Sequence, residues 1–263
     1  MQINSFITNS FGGTKMRFGI IGAGPIGSII SKKLVKNGHN VKIADARGIE
    51  RLEGKEFDGT PVHVEDAITN IEVLIISLPL KALPSIKNII DQVGEEVIIV
   101  DTSNYYPYRD GKIEEIENGM VESVWVSNQL VRPIIKAFNN ILAYTLENEG
   151  TSEETIGRIA MAVAGNDQTQ KQVVMDVVNE LGFDAVDSGS LSDSWRQQPG
   201  TPAYCTELTK DELTKALKKA NKENAPLLRD KVMERFAELL AEKKEVEFSH
   251  RDIVNLNREI YNS

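Results

Sequence analysis

Arg17-Phe18-Gly19-Ile20-Ile21-Gly22-Ala23-Gly24-Pro25-Ile26-Gly27 is the stretch that decides the fold. A short apolar run ends in glycines and gives way to a helical pattern, with Ile26, Ile29, Ile30 and Leu34 on one side of the segment from Pro25 to Asn37. Strand, glycine turn and helix in that order are the context in which the spacing G-x-G-x-x-G has physical meaning. Gly22 allows the tight turn, Gly24 lets the backbone approach a pyrophosphate, and Gly27 removes a side chain where helix and strand pack closely. The helix N-terminus offers N–H groups and a partial positive charge to phosphates. Gly22, Ala23, Gly24, Pro25, Ile26 and Gly27 are therefore the expected phosphate-binding residues.

Outward from this motif, apolar runs alternate with helix-like segments. VKIAD (41–45) is a second strand, EVLIISLP (72–79) a third followed by a helix-like stretch to about Val93, VIIVDTS (97–103) a fourth, and PIIKAFN (133–139) another. RIAMAVA (158–164), an amphipathic helix from Thr169 to Leu181 and FDAVDSG (183–189) form a second strand–helix–strand group. The fold class this predicts is α/β: a Rossmann-type doubly wound, mostly parallel sheet, extended by additional strands and followed by a C-terminal helical tail. The predicted division is a flexible extension at 1–15, a dinucleotide-binding domain at 16–140, a sheet extension or substrate lobe at 141–206, and a charged helical tail at 207–263. Thr209 with Glu212, and Ser249 with Asp252, read as helix caps in that tail. The tail's apolar stripes call for a partner surface, either the chain's own sheet or a second copy; a homodimer is the expectation.

Composition narrows the function. The 263 residues carry a formal charge of −9. From Glu207 onward acidic and basic residues balance at 12 each, so the excess negative charge lies in the main body. An acidic body repels a polyphosphate backbone, which argues against nucleic acid, and no apolar run suits a membrane span. The first fifteen residues lack the apolar core of a secretory signal. One cysteine, Cys205, excludes an internal disulfide and fits a reducing, cytoplasmic setting. The three histidines show no ligand spacing, so no metal is expected.

Asp45 ends the second strand about 20 residues past the glycines, where a carboxylate accepts hydrogen bonds from the adenosine ribose and favours NAD(H). Arg47 lies two residues on, placed to pair with a 2′-phosphate and favour NADP(H). The two point in opposite directions, and either cofactor stays open. Ser77, Leu78 and Pro79, and the turn Asp101-Thr102-Ser103-Asn104, lie at C-terminal strand ends, where ligands of such sheets collect. Ala137 and Asn139 close the next strand, and the Asn139 amide suits the nicotinamide carboxamide. Trp195 and Arg196, with Pro199 and Gly200 on the same proline-stiffened loop, are the candidate contacts to a second substrate.

GIIGAGPIG (19–27), DTSNYYPYRDG (101–111), RPIIKAFNNI (132–141) and DSGSLSDSWRQQPGTPAYC (187–205) together resemble a family of predicted dinucleotide-binding enzymes. That family is related to the NADPH-dependent reductases of the 5-deazaflavin coenzyme F420 and to the oxidoreductase domains of the STEAP ferric reductases. The resemblance runs from about Met16 to Cys205. It implies hydride transfer at a nicotinamide flanked by Leu78-Pro79 and Ala137–Asn139, with a deazaflavin or flavin ring as second substrate in a neighbouring cleft. Asp45 departs from the small polar residue that NADPH-using members often carry there.

No nucleophile–base constellation stands out, and the catalytic residues stay unassigned. An alcohol dehydrogenase must move a proton with its hydride, whereas transfer between two organic cofactors rests on proximity and orientation. The expected function is an NAD(P)H-dependent oxidoreductase passing hydride to a small-molecule electron acceptor of deazaflavin or flavin type. The alternatives are a non-catalytic redox sensor using the tail as an interface, or a dehydrogenase of a small hydroxy substrate drawing a proton from Lys136, Tyr105 or Tyr106.

Overall fold

The computed structural model describes residues 15–242 and 249–261. Apart from Lys15, the expected N-terminal extension lies outside the described residues, as does part of the tail. β1 (Arg17–Ile21) leads into α1 (Pro25–Lys36), β2 (Asn40–Ala44), the two-residue β3 (Thr60–Pro61), α2 (Val64–Ala67) and β4 (Val73–Ile76). A tight 3-10 turn (Leu80–Ile86) containing Pro84 precedes the short α3 (Lys87–Ile90), so the expected helix to Val93 is broken where proline cannot donate an N–H. β5 (Ile98–Asp101), α4 (Pro107–Asp110), α5 (Glu114–Glu117), α6 (Glu122–Leu130) and β6 (Ile135–Lys136) complete the first half.

All six strands are parallel, in the order β3-β2-β1-β4-β5-β6. The chain leaves β1 in one direction through β2 and β3, then crosses back to β4 on the other side. The strand order therefore reverses between β1 and β4, and the crevice beyond their C-terminal ends is the switch point of the sheet. Both faces are covered, which is why the strands read as near-continuous apolar runs. Phe18, Ile20, Ile43, Ile75 and Val100 pack under α1 on one face. Ile21, Leu74, Ile76 and Ile99 pack on the other with Leu83, Trp125, Val126 and Leu130. Each fully buried Ile or Leu contributes about 1.5–3 kcal/mol relative to exposure.

After α7 (Ala143–Asn148) come β7 (Ala160–Val163), α8 (Gln168–Glu180) and β8 (Asp184–Asp187), a second parallel βαβ unit. Asp167 caps α8 by accepting the Gln170 N–H. The unit joins the main sheet by an antiparallel bridge between Lys136 and Ala164, with N···O distances of 2.8 and 3.0 Å. Met161, Val163, Val174, Val177 and Phe183 belong to the same apolar cluster as Phe18 and Ile20. One face of this βαβ unit thus extends the existing core.

The expected tail divides in two. α9 (Lys210–Lys219) lays Leu213, Ala216 and Leu217 on Ala160, Ala162 and Val186 and so covers the two-stranded sheet. α10 (Ala225–Glu242) and α11 (His250–Tyr261) bury Val232, Leu256, Ile260 and Tyr261 against Tyr204 and Cys205. Of the two readings of the apolar stripes, the inner face takes the first: it packs on its own subunit. Leu227 and Leu240 remain exposed on the outer side. Among the described residues no helix is long and apolar enough to cross a membrane.

Candidate functional site

The site begins at the switch point. Gly22 has φ +116°, and its amide donates to Ala44 O while a Cβ would lie 2.1 Å from Ser77 O. A Cβ on Gly27 would lie 1.9 Å from Gly22 O. These two positions hold β1, α1 and β4 together. Gly24 differs: a Cβ there would meet nothing within 4 Å, and the residue is exposed. No side chain caps the first turn of α1. An uncapped twelve-residue helix behind a bare backbone cradle suits a pyrophosphate, so the residues present fit a dinucleotide.

Asp45 and Arg47, opposed in the sequence, form one unit. Arg47 Nε and Nη2 sit 2.9 and 2.8 Å from the two Asp45 carboxylate oxygens, and the Arg47 N–H adds a third bond at 2.9 Å. The Arg47 guanidinium beside Asp45 holds its carboxyl below the usual carboxylate range, with Arg51 adding to the effect. Asp45 is mostly covered and Arg47 mostly exposed. The outward charge at the end of β2 is therefore cationic.

Ser77 and Leu78 are half-buried and Pro79 exposed at the end of β4, across the crevice from Gly22. Past β5, Asp101 organises the turn: its Oδ1 accepts the Ser103 N–H, and its Oδ2 accepts the Ser103 hydroxyl and the Lys136 ammonium at 2.7 Å. Lys136 also donates to Ser103 O at 2.5 Å. Glu122, at the start of α6, accepts the Tyr105 N–H; burial pushes its carboxyl up to about 7 against the pull of Lys136 and Arg229. Sequence reasoning missed Glu122, because a buried carboxylate among Val121, Ser123 and Val124 leaves no periodic signal.

Ala137 is buried. Asn139 is also buried, and its amide is engaged within the chain. It donates to Asn104 Oδ1 and Gln197 O, both at 3.0 Å, and accepts from Gln197 Nε2 at 2.9 Å. The expected contact of Asn139 with nicotinamide would draw on a side chain whose two N–H groups are already engaged within the chain. Gln197 joins Asn139 to Ala162 O in β7 and accepts from Ser188. This knot ties the second βαβ unit to the C-terminal edge of the main sheet, and Gln197, which the sequence places on the candidate substrate loop, is its centre.

The loop expected to meet a second substrate is divided between buried and partly exposed residues. Pro199 and Gly200 are buried; Gly200 has φ +90°, and a Cβ there would lie 1.8 Å from Ala225 O. Arg196 stacks over Trp195 at 4.5 Å and donates to Leu217 O near the end of α9. Trp195 and Arg196 remain partly exposed. Gln198, next in line, buries its Oε1 without a hydrogen-bond partner.

The candidate proton donors are tied down. Lys136 is fully buried in its ion pair. Tyr105 OH donates to Glu117 and accepts from the Ile113 N–H. Tyr106 OH meets Tyr204 OH at 3.0 Å beneath the tail, and burial pushes both phenols well above their usual value. Cys205 is buried beside them, with its thiol pushed up to about 12 by burial. At the opposite sheet edge a cavity of about 500 Å³ is lined by Arg17, His39, Lys42 and Asn70. There Lys42 is spent on Asp66 O and Thr69, and His39 on Met16 N and Glu180.

Residues 17–105 match the family described as NADP oxidoreductase coenzyme F420-dependent. The Escherichia coli (strain K12) protein YjhV is 38% identical over 108 residues, which span 41% of this chain and 75% of that one. A hypothetical protein of Sinorhizobium meliloti superposes with TM-score 0.63 at 27% identity, over 75% of this chain and 96% of its own. A protein of Arthrobacter sp. FB24, provisionally named an F420-dependent NADP reductase, superposes with TM-score 0.56 at 19% identity, over 68% of this chain and 87% of its own. That last likeness is one of fold.

Proposed function

The chain belongs to the coenzyme F420-dependent NADP oxidoreductase family, and from that premise we propose that it binds NADP(H) and passes hydride between the nicotinamide and a deazaflavin or flavin-type acceptor. The observation that carries this reading is the uncapped N-terminus of α1 behind the open space at Gly24, with the Asp45–Arg47 unit beside it.

Gly22–Gly27 would hold the pyrophosphate, Arg47 the 2′-phosphate, and Ser77–Pro79 the nicotinamide side. Asp45 loses most of its repulsion toward that phosphate because both its oxygens are engaged by Arg47. The cofactor, when bound, supplies the hydride. The chain's own residues bind, orient and shield. Lys136, Tyr105 and Tyr106 are committed to internal partners, which disfavours a small hydroxy substrate whose reaction needs a proton donor. Transfer between two planar cofactors asks less of the protein, because the organic groups carry the chemistry. In this reading the enzyme works in the cytoplasm as a homodimer, with the exposed Leu227 and Leu240 on its outer helical face. Trp195 and Arg196 border the acceptor.

The test is calorimetric titration with NADPH and NADH separately, on wild type and Arg47→Ala. NADPH is expected to bind more tightly, and the variant to lose about tenfold or more of that preference, as for one charge-assisted phosphate contact. Equal affinities in both proteins would remove the NADP(H) assignment, and binding of neither would remove the reading. A screen of flavin and deazaflavin acceptors for oxidation of the preferred cofactor then asks for turnover. Tight binding with no turnover by any acceptor would favour a sensor.

A further inference from the structure

Asn104 stands three residues past β5, in the β4-β5-β6 half of the sheet, and its side chain is partly exposed. We propose that Asn104 reads the carboxamide of the nicotinamide, and that Asn139 and Gln197 are positioning residues which set the direction its amide faces. The inference rests on the dinucleotide reading above and deepens it.

A primary amide carries two N–H donors and an oxygen with two lone pairs. Counting the bonds along the knot shows where capacity is left. Gln197 spends both N–H groups, on Asn139 Oδ1 and Ala162 O, and its oxygen accepts from Ser188. Asn139 spends both of its N–H groups, on Asn104 Oδ1 and Gln197 O. Both residues are buried. Asn104 donates one N–H to Asn139 O at 3.0 Å and accepts one from Asn139 Nδ2 at 3.0 Å. One N–H and one lone pair of Asn104 are left over, on the only partly exposed amide of the three. A carboxamide presents the complementary pair, a carbonyl that accepts and an N–H that donates.

The orientation of Asn104 is determined as well as its position. Backbone carbonyls only accept, so Asn139 O fixes which atom of the Asn104 amide is nitrogen. Ala162 O does the same for Gln197, and Gln197 in turn for Asn139. The end of the chain is clamped too: Arg109 Nη2 donates to Asn104 O at 2.6 Å. An amide that cannot flip discriminates between a ligand's donor and acceptor; a rotating one accepts either. A buried polar network is costly where its groups lack partners, in keeping with two buried amides whose N–H groups and oxygens are all engaged and one part-exposed amide with a donor still open.

The experiment compares NADP⁺ with 2′-phospho-ADP-ribose, which keeps the adenosine half and lacks nicotinamide, by calorimetry on wild type, Asn104→Asp and Gln197→Met. Asn104→Asp exchanges a donor for an acceptor without change of shape. It is expected to weaken NADP⁺ by about tenfold or more while leaving phospho-ADP-ribose unchanged, since a mismatched polar pair forfeits a hydrogen bond and leaves a partner unpaired. Gln197→Met touches no ligand in this scheme and is expected to give a smaller loss of the same selective kind. The 3-acetylpyridine analogue of NADP⁺, with methyl in place of NH₂, is expected to bind wild type more weakly than NADP⁺, and that gap is expected to vanish in Asn104→Ala. Unchanged NADP⁺ affinity in Asn104→Asp, or an equal loss for both compounds, overturns the assignment to Asn104 alone. If wild type binds neither compound, the NADP(H) reading above fails, and the inference drawn on it fails too.

Discussion

At the scale of single residues, two glycines three positions apart meet opposite surroundings. A Cβ on Gly27 would be driven into the Gly22 carbonyl at 1.9 Å; a Cβ on Gly24 would meet open space. Gly24→Asp is therefore expected to leave the melting temperature roughly unchanged and to abolish dinucleotide binding, with a loss of at least about a hundredfold, because it places a carboxylate where phosphate should sit. Gly27→Ala is expected to do the reverse, destabilising the fold by about 1–3 kcal/mol. Calorimetric titration and thermal melts on both variants check the pair. Undiminished affinity in Gly24→Asp would remove the phosphate site from this loop. The glycine spacing made these three positions legible in the sequence. The Asp45–Arg47 bond was not, since two opposite charges two residues apart read equally well as rivals or as partners until their side chains are seen to meet.

At the scale of elements, β1, β2, β4 and β5 were readable because strands buried on both faces are unbroken apolar runs. The pair of capping motifs also announced α9 and α11; Thr209 and Glu212 complete a reciprocal box, and Ser249 donates to Asp252. β3 carried no signal, being two exposed residues, and β6 is only Ile135–Lys136 because the chain turns away at Ala137 to build the polar knot. α6 was overlooked for a related reason: its first turn faces buried charge as well as core. Glu122 there is pushed up to about 7 by burial, opposed by Lys136 and Arg229, with Asp101 adding to the upward shift. The ordinary value is 4.5. A native value above the unfolded one gives stability that is full below about pH 4.5 and falls as pH rises through about 7. Gln keeps the acceptor for the Tyr105 N–H and removes the charge. In urea denaturation Glu122→Gln is expected to gain on wild type by about 2 kcal/mol between about pH 5 and about pH 8. A constant difference across that window would mean that Glu122 stays ionised in the native state.

At the scale of the whole molecule, α10 and α11 cover a surface that would otherwise be open. α10 begins against Gly200, whose positive φ and lack of a side chain let the Ala225 carbonyl come close. Tyr261, in the last turn of α11, closes over Cys205 and Tyr204. Docking of this kind depends on contacts far apart in sequence, which is why the apolar stripes of α10 and α11 could be seen and their destination could not. A single thiol beneath that docked pair gives the protein a built-in clock. While the helices stay down, a thiol reagent finds nothing to modify; each time they lift, one sulfur per chain is offered to it, and the rate of labelling counts the openings. Gly200→Ala should make the clock run faster, by about tenfold or more for a weakening of 1.4 kcal/mol, and equal rates in the two proteins would mean that the helices do not lift from that corner. Should a bound cofactor slow the clock as well, the same sulfur would report from a distance whether the crevice is filled, with no need to know what the enzyme reduces.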